Sequence, residues 1–192
     1  RFLVQRSIVE QFTDRLASEV DRLRVGHGLA DGTHIGPLIN DRAVEKVRLH
    51  IEDALNYGAD LVTGGTVLSP DNLKPRFIAP TILSGVTPSM RIFKEETFGP
   101  VAPITAFDHE TEAISMANAS DYGLAAYFFT QNASRLMRVA EQLEYGIIGA
   151  NDGAPSTAEA PFGGMKQSGL GREGGHHAMD EYLEVKYVSW RI

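Results

Sequence analysis

The chain has 192 residues, 43% of them hydrophobic and 22% charged, with a formal charge of −7 at neutral pH and no cysteine. That length can bury a core as one globular domain, and the ordinary apolar share excludes a disordered or collagen-like chain. Net acidity with scattered basic residues argues against duplex nucleic acid as a partner, and the missing thiols remove disulfides, thiolate metal sites and a cysteine nucleophile from these residues.

Phe2-Leu3-Val4 is strand-like, and a chain that opens inside an element is expected to belong to something longer. Ser7 followed by Glu10 fits a capping box, and Ile8, Phe12, Leu16, Val20 and Leu23 recur at helical spacing. Beyond the loop 26–40, a second helix capped near Asn40 or Asp41 carries Val44, Val47, Ile51 and Leu55 and ends at Tyr57-Gly58. Leu61-Val62-Thr63 is expected to be a short buried strand, and Pro80 makes 77–83 an edge strand or a broken one. Val101 to Phe107 is strand-like, and Asp108 is expected to cap a helix holding Ala113, Ile114 and Ala117. Leu124 to Phe129 is the best candidate for a buried strand, and as one of the longest apolar runs it falls far short of the ~18 residues that span a bilayer. Asn132 caps a helix with Leu136, Val139, Ala140 and Leu143, and 146–150 is the next strand. This alternation predicts an α/β fold with a largely parallel sheet flanked by helices. A glycine-rich loop, 153–175, leads to an expected C-terminal helix, and 182–190 alternates in strand fashion. No secretory signal opens the chain, so the expectation is a soluble, cytoplasmic protein with no membrane partner.

Gly169-Leu170-Gly171-Arg172-Glu173-Gly174 matches the dinucleotide fingerprint in letters only. A polar loop precedes it, and too few residues follow for the helix, strand and acidic residue that the motif requires. Glu95 and Glu96 could be taken for the paired acids of a glycoside hydrolase, but neighbouring side chains in extended backbone point opposite ways, so at most one serves a given site. Glu96 with Phe98 two positions on, before Gly99-Pro100, puts a carboxylate and a ring on one side of the backbone. There the carboxylate can accept from a ribose diol while the ring packs on a flat heterocycle; solvated acids beside a turn are the plainer alternative. His27, His34, His50, His109, His176 and His177 show no metal-ligand spacing, so no metal is expected. The loop 152–159 offers the hydroxyls of Ser156 and Thr157 but no paired base, which weakens a Ser-His-Asp reading and leaves open a hydroxyl donated to a bound anion.

The blocks 94–101, 36–40, 77–83, 122–126 and 161–169 together resemble the aldehyde dehydrogenase family, in family order and over practically the whole chain. With 171–174 and 180–188, the resemblance extends to its succinate-semialdehyde dehydrogenase branch. It implies that residues 1–175 are a portion of the catalytic domain and that 176–192 form a C-terminal helix and an oligomerisation strand, in a homo-oligomer. By the same resemblance Glu96 binds the nicotinamide ribose hydroxyls of NAD or NADP and Phe98 bounds the nicotinamide. Phe162 lines the aldehyde tunnel, and Ser156 holds the distal carboxylate of a small-molecule semialdehyde, so Asp152 and Glu159 must point away. The family's cysteine nucleophile, glutamate base, oxyanion-stabilising asparagine and substrate-binding arginines are expected upstream of Arg1. No catalytic residue is therefore assigned in this chain, and these residues alone are expected to be inactive. The resemblance implies thiolate attack on the aldehyde, hydride transfer and thioester hydrolysis. Glutarate semialdehyde is the rival substrate, and a non-catalytic binding or assembly unit is the rival role.

Overall fold

The opening apolar triplet becomes the first strand because a parallel neighbour is available to it. The computed structural model describes residues 1–192, the side chain of Asn72 excepted. The chain divides into two compact units, Arg1–Ala113 and Ile114–Ile192.

In the first unit, β1 (Phe2–Gln5) is followed by α1 (Val9–Val20), α2 (Asp41–Asn56), β2 (Asp60–Thr63), β3 (Val67–Leu68), β4 (Phe77–Ile78), β5 (Thr81–Ser84), α3 (Arg91–Lys94), β6 (Val101–Phe107) and α4 (Glu110–Asn118), the last running past Ala113. Four strands form one sheet in the order β1-β6-β5-β2. The β1–β6 and β5–β6 ladders are parallel, with Val4 opposite Ala106 and Ile82 opposite Ala102, and β2 closes the edge antiparallel to β5. One core cluster joins Val4, Ile82 and Ile104 to Val9, Phe12, Leu16 and Val20, so the helical spacing of α1 is spent on covering the sheet. Thr81 and Leu83, on the opposite side of β5, are buried as well, so both faces of this strand are covered, as in parallel sheets generally.

The second unit contains β7 (Tyr122–Gly123), β8 (Ala125–Phe128), α5 (Ala133–Gln142), β9 (Ile147–Ala150) and β10 (Met165–Lys166). Strands β8 and β9 run parallel, with Tyr127 opposite Gly149, and β10 pairs antiparallel with β7. Their core gathers Ile114, Val139 and Leu143 around Ala126, Phe128 and Ile148. The architecture is α/β with mainly parallel pairing, as the alternation predicts, and no helix among the described residues is long and apolar enough to cross a membrane.

Several local expectations are corrected. The capping box at Ser7 does not form: residues 6–8 make a 3-10 turn, and α1 begins after Ile8 without a side-chain cap. The Asp108 carboxylate takes Arg6 at 2.7 and 3.0 Å, and the Asp108 N–H donates to Glu112 Oε2 on α4 at 2.8 Å. Strand β2 is exposed rather than buried because it is the sheet's edge. In 124–129, Tyr127 and Phe129 are exposed, so that strand is covered on one side only. At the C-terminus the chain has a 3-10 helix, His176–Tyr182, and no strand in 183–192; the oligomerisation strand expected there is a pairing with another chain. A strand exists only through its partner, and no other segment among the described residues pairs with this tail.

Candidate functional site

Helix α2 starts where Asn40 Oδ1 accepts from the Ala43 N–H at 2.9 Å, and its buried face is Val47, His50, Ile51 and Ala54. His50 has no exposed surface and uses both ring nitrogens: Nε2 lies 3.2 Å from Glu95 Oε2 and Nδ1 lies 3.0 Å from Thr97 Oγ1. Arg91 donates to the same carboxylate through Nε at 3.0 Å and Nη2 at 3.2 Å. The Arg91 backbone N–H donates in turn to Asp53 Oδ2 on α2 at 2.8 Å. The Arg91 hydrogen bonds above all, with His50 adding to them, hold the Glu95 carboxyl below the usual glutamate range. An ionised carboxylate only accepts, so Nε2 of His50 carries a proton, and in the neutral ring Nδ1 accepts from the Thr97 hydroxyl.

Glu95 and Thr97 are two positions apart and both turn to α2, so the alternation of extended backbone sends Glu96 the other way. Glu96 is exposed, and its carboxylate has no hydrogen-bond partner among the described residues; Phe98 is 81% exposed. The Phe98 backbone lies at φ 51, a left-handed conformation that costs a bulky residue about 1–2 kcal/mol. Gly99 follows immediately, pressed so closely to α2 that a Cβ there would stand 2.6 Å from Val47 Cγ2. Helix α2 thus fastens the backbone on both sides of Phe98. The acid and the ring that the sequence singles out remain presented to solvent, where a carboxylate can accept from a diol and a ring can cover a flat heterocycle.

Ser156 and Phe162 belong to the second unit and line one open cavity of about 210 Å3. Ile147 and Ile148 of β9 contribute to it, together with Pro155 and Pro161. Thr157 also lines it, but its hydroxyl donates to Glu159, which lowers the Glu159 carboxyl from its ordinary range. The exposed Ser156 hydroxyl has no partner among the described residues and is available to donate. Asp152 accepts from the Ala154 N–H at 2.9 Å, and neither Asp152 nor Glu159 lines the cavity. An open recess of this size, with Ile147, Ile148 and Phe162 beside one available hydroxyl, suits a short ligand bearing a polar end.

The wall carrying Phe162 is held by main chain. Phe162 and Glu173 exchange N–H···O bonds of 2.6 and 2.7 Å, and the Gly175 N–H donates to Ala158 O at 3.0 Å. Arg172 Nη1 donates to the carbonyls of Gly164 and Gly171 at 2.9 and 2.7 Å. Gly169, Gly171 and Gly174 all have positive φ, at 108°, 79° and 67°. The fingerprint-like stretch is therefore a turn that braces the cavity wall, and no α-helix follows it. The His176 and His177 rings lie tilted against each other with centroids 4.2 Å apart, and the described residues contain no group of three that could hold a metal ion.

The clamp of His50 and Arg91 on Glu95 is absent from the sequence expectation, which says of His50 only that it shows no metal-ligand spacing. The signal was its place between Val47 and Ile51 on an apolar stripe, where a ring must find polar partners.

A family model described as "Aldehyde dehydrogenase family" matches residues 1–188. Among curated relatives, the mitochondrial succinate-semialdehyde dehydrogenase of Rattus norvegicus is 53% identical over 191 residues, which is 99% of this chain and 36% of that protein. The crystal structure of succinate-semialdehyde dehydrogenase from Burkholderia pseudomallei superposes with a TM-score of 0.94 at 49% identity, covering 98% of this chain and 38% of that one. Betaine aldehyde dehydrogenase from Staphylococcus aureus, crystallised with NAD+, gives a TM-score of 0.88 at 38% identity over 99% of this chain and 40% of that one. The chain thus spans little more than a third of the length of these relatives.

Proposed function

The chain belongs to the aldehyde dehydrogenase family, and we propose that within a longer protein it supplies the cofactor-ribose grip and part of the aldehyde pocket of an NAD(P)-dependent oxidoreductase that converts succinate semialdehyde to its acid. The observation that carries this reading is the pairing of an available Ser156 hydroxyl with Phe162 in one open recess of mixed polar and apolar lining. The hydroxyl donates to the carboxylate end of the substrate in a charge-assisted hydrogen bond, and the apolar side chains of the recess take the short methylene chain. Fixing one end aims the other, so the aldehyde carbon is presented in one orientation.

Glu96 and Phe98 suit a nicotinamide cofactor, since an unengaged carboxylate and an exposed ring lie two positions apart while Glu95 and Thr97 are tied to His50. Glu96 accepts from the ribose hydroxyls and Phe98 bounds the nicotinamide ring. Held there, a nicotinamide cofactor would supply a hydride acceptor for the oxidation. The chain contains no cysteine, so it supplies no thiolate for the family's reaction, and the 192-residue chain alone is expected to turn over no aldehyde. The tail 183–192, apolar and unpaired, is assigned to a sheet shared with a second copy.

The test is a steady-state assay of the complete enzyme and its Ser156→Ala variant, with NAD and with NADP. The substrates are succinate semialdehyde, its one-methylene-longer homologue and an uncharged aldehyde of equal length. The variant should raise KM for the carboxylated aldehydes at least about tenfold, the worth of a hydrogen bond to a charged group, and spare the uncharged one. Equal effects on both remove Ser156 from the pocket, and no nicotinamide-dependent oxidation of a semialdehyde overturns the function. A preference between the two semialdehydes of ~1–3 kcal/mol is what one methylene can supply.

A further inference from the structure

We infer that His50 is a positioning residue for cofactor binding: from inside helix α2 it sets the direction in which Glu96 and Phe98 face. The inference rests on the reading of Glu96 and Phe98 given above and names the part of the chain that makes that pair competent. Neither side chain makes a hydrogen bond, ion pair or ring contact among the described residues, and both are exposed, so the backbone sets their aim. That backbone is fixed at alternate positions, by Glu95 on Nε2 of His50 and by Thr97 on Nδ1, at 3.2 and 3.0 Å.

A single imidazole thus determines the orientation of residues 95 and 97, and alternation does the rest for residue 96. The ring cannot drift, because it is wholly buried on the same helical face as Val47 and Ala54. Arg91 reinforces one arm by gripping Glu95 while its own N–H is bound to Asp53 of the same helix. Gly99 against Val47 anchors the far side, so the left-handed turn at Phe98 is held between two attachments to α2. Without the ring, Glu95 and Thr97 would have no common partner, and strained backbone at φ 51 would be free to relax. A burial role alone could be met by an aliphatic side chain; two ring nitrogens on two residues that bracket an exposed acid constitute a positioning device.

The experiment measures NADH and NADPH dissociation constants by equilibrium fluorescence titration of the complete enzyme, together with the KM for aldehyde at saturating cofactor. The variants are His50→Ala, Thr97→Val and Glu96→Ala, with each of the first two also combined with Glu96→Ala. Thr97→Val leaves the core ring in place and keeps the test open where His50→Ala does not fold. Both single variants at the clamp should weaken cofactor binding about tenfold, as loss of a supporting partner commonly does, with aldehyde KM within about twofold. In the Glu96→Ala background the same substitutions should cost markedly less. Equal fold-losses in both backgrounds would overturn the inference, since the clamp would then act independently of Glu96. Unchanged dissociation constants in the clamp variants, with Glu96→Ala weakened, would overturn it while leaving the cofactor role of Glu96 intact. Unchanged binding in Glu96→Ala would instead remove the reading on which the inference is built.

Discussion

Residues 91–99 and residues 153–175 each present a pair of side chains to a proposed ligand, and they are held in opposite ways. The first segment is fastened by side chains: a buried imidazole, a carboxylate and a guanidinium, each replaceable one at a time. The second is fastened by main chain: the Phe162–Glu173 bridge, the Gly175–Ala158 bond and an arginine spent on carbonyls, with glycines where no side chain fits. Side-chain fastening gives way gradually, as partners shift to accommodate a change. Main-chain fastening has no such slack, because the atom in the way belongs to the backbone itself.

The largest effect expected from this difference is at Gly146. A Cβ there would land on the Gly163 carbonyl, with Gly164 Cα 3.1 Å away. Neither neighbour is a rotatable side chain, so Gly146→Ala should destabilise the complete protein by about 3 kcal/mol or more, at the upper end of overpacking costs. Denaturant-induced unfolding measures it, and a stability within 1 kcal/mol of wild type would mean that the loop yields as readily as the clamp.

Gly99 is the matching position in the first segment, and it meets a side chain. Gly99→Ala should cost about 1–3 kcal/mol, since its Cβ would press on Val47 Cγ2 at 2.6 Å. Shortening Val47 to Ala should relieve part of that. The double variant should therefore be more stable than the sum of the two losses by about 1 kcal/mol. Strict additivity in the double variant would show that Gly99 is needed for its backbone rather than for its closeness to α2.

The same contrast explains what the sequence could disclose. Signals complete within a few residues were legible: the Asn40 and Asn132 caps form as expected, each accepting an N–H at 2.9 Å, and Pro80 does break 77–83 into two strands. The alternation that puts Glu96 opposite to Glu95 is of this local kind. Burial of Leu61 or Tyr127 depends instead on which strand ends at the sheet's edge, and no short window encodes that. The capping box at Ser7 was lost to a 3-10 turn of equal local plausibility. His50 and Glu95 are 45 residues apart, so the clamp became visible only once α2 and the 91–99 segment had been placed. Ser156 was singled out by resemblance; its availability follows from Thr157, not Ser156, being the hydroxyl engaged by Glu159.

The smallest effect concerns charge, and it separates the two segments by degree rather than kind. Glu95 and Glu159 both have carboxyl groups held below their ordinary range, the first chiefly by Arg91 and then His50, the second by Thr157 and its own backbone N–H. A depressed carboxyl contributes stability that is complete above its unfolded value, about 4.3 for glutamate, and is lost as pH falls through the folded value. The advantage of wild type over Glu95→Gln should therefore be full at neutral pH and vanish in the acid range below about pH 4. With Glu95 44% exposed, solvent screening keeps that advantage under about 1 kcal/mol. Glu159→Gln should follow the same direction with a shallower dependence, because its partners are neutral and favour the ionised carboxylate less than the Arg91 cation does. Unfolding curves of both variants from pH 7 to pH 3 decide the matter. A steeper dependence for Glu159 than for Glu95 would place the chain's charge-held segment at the cavity wall, and the division between side-chain and main-chain fastening would have to be redrawn.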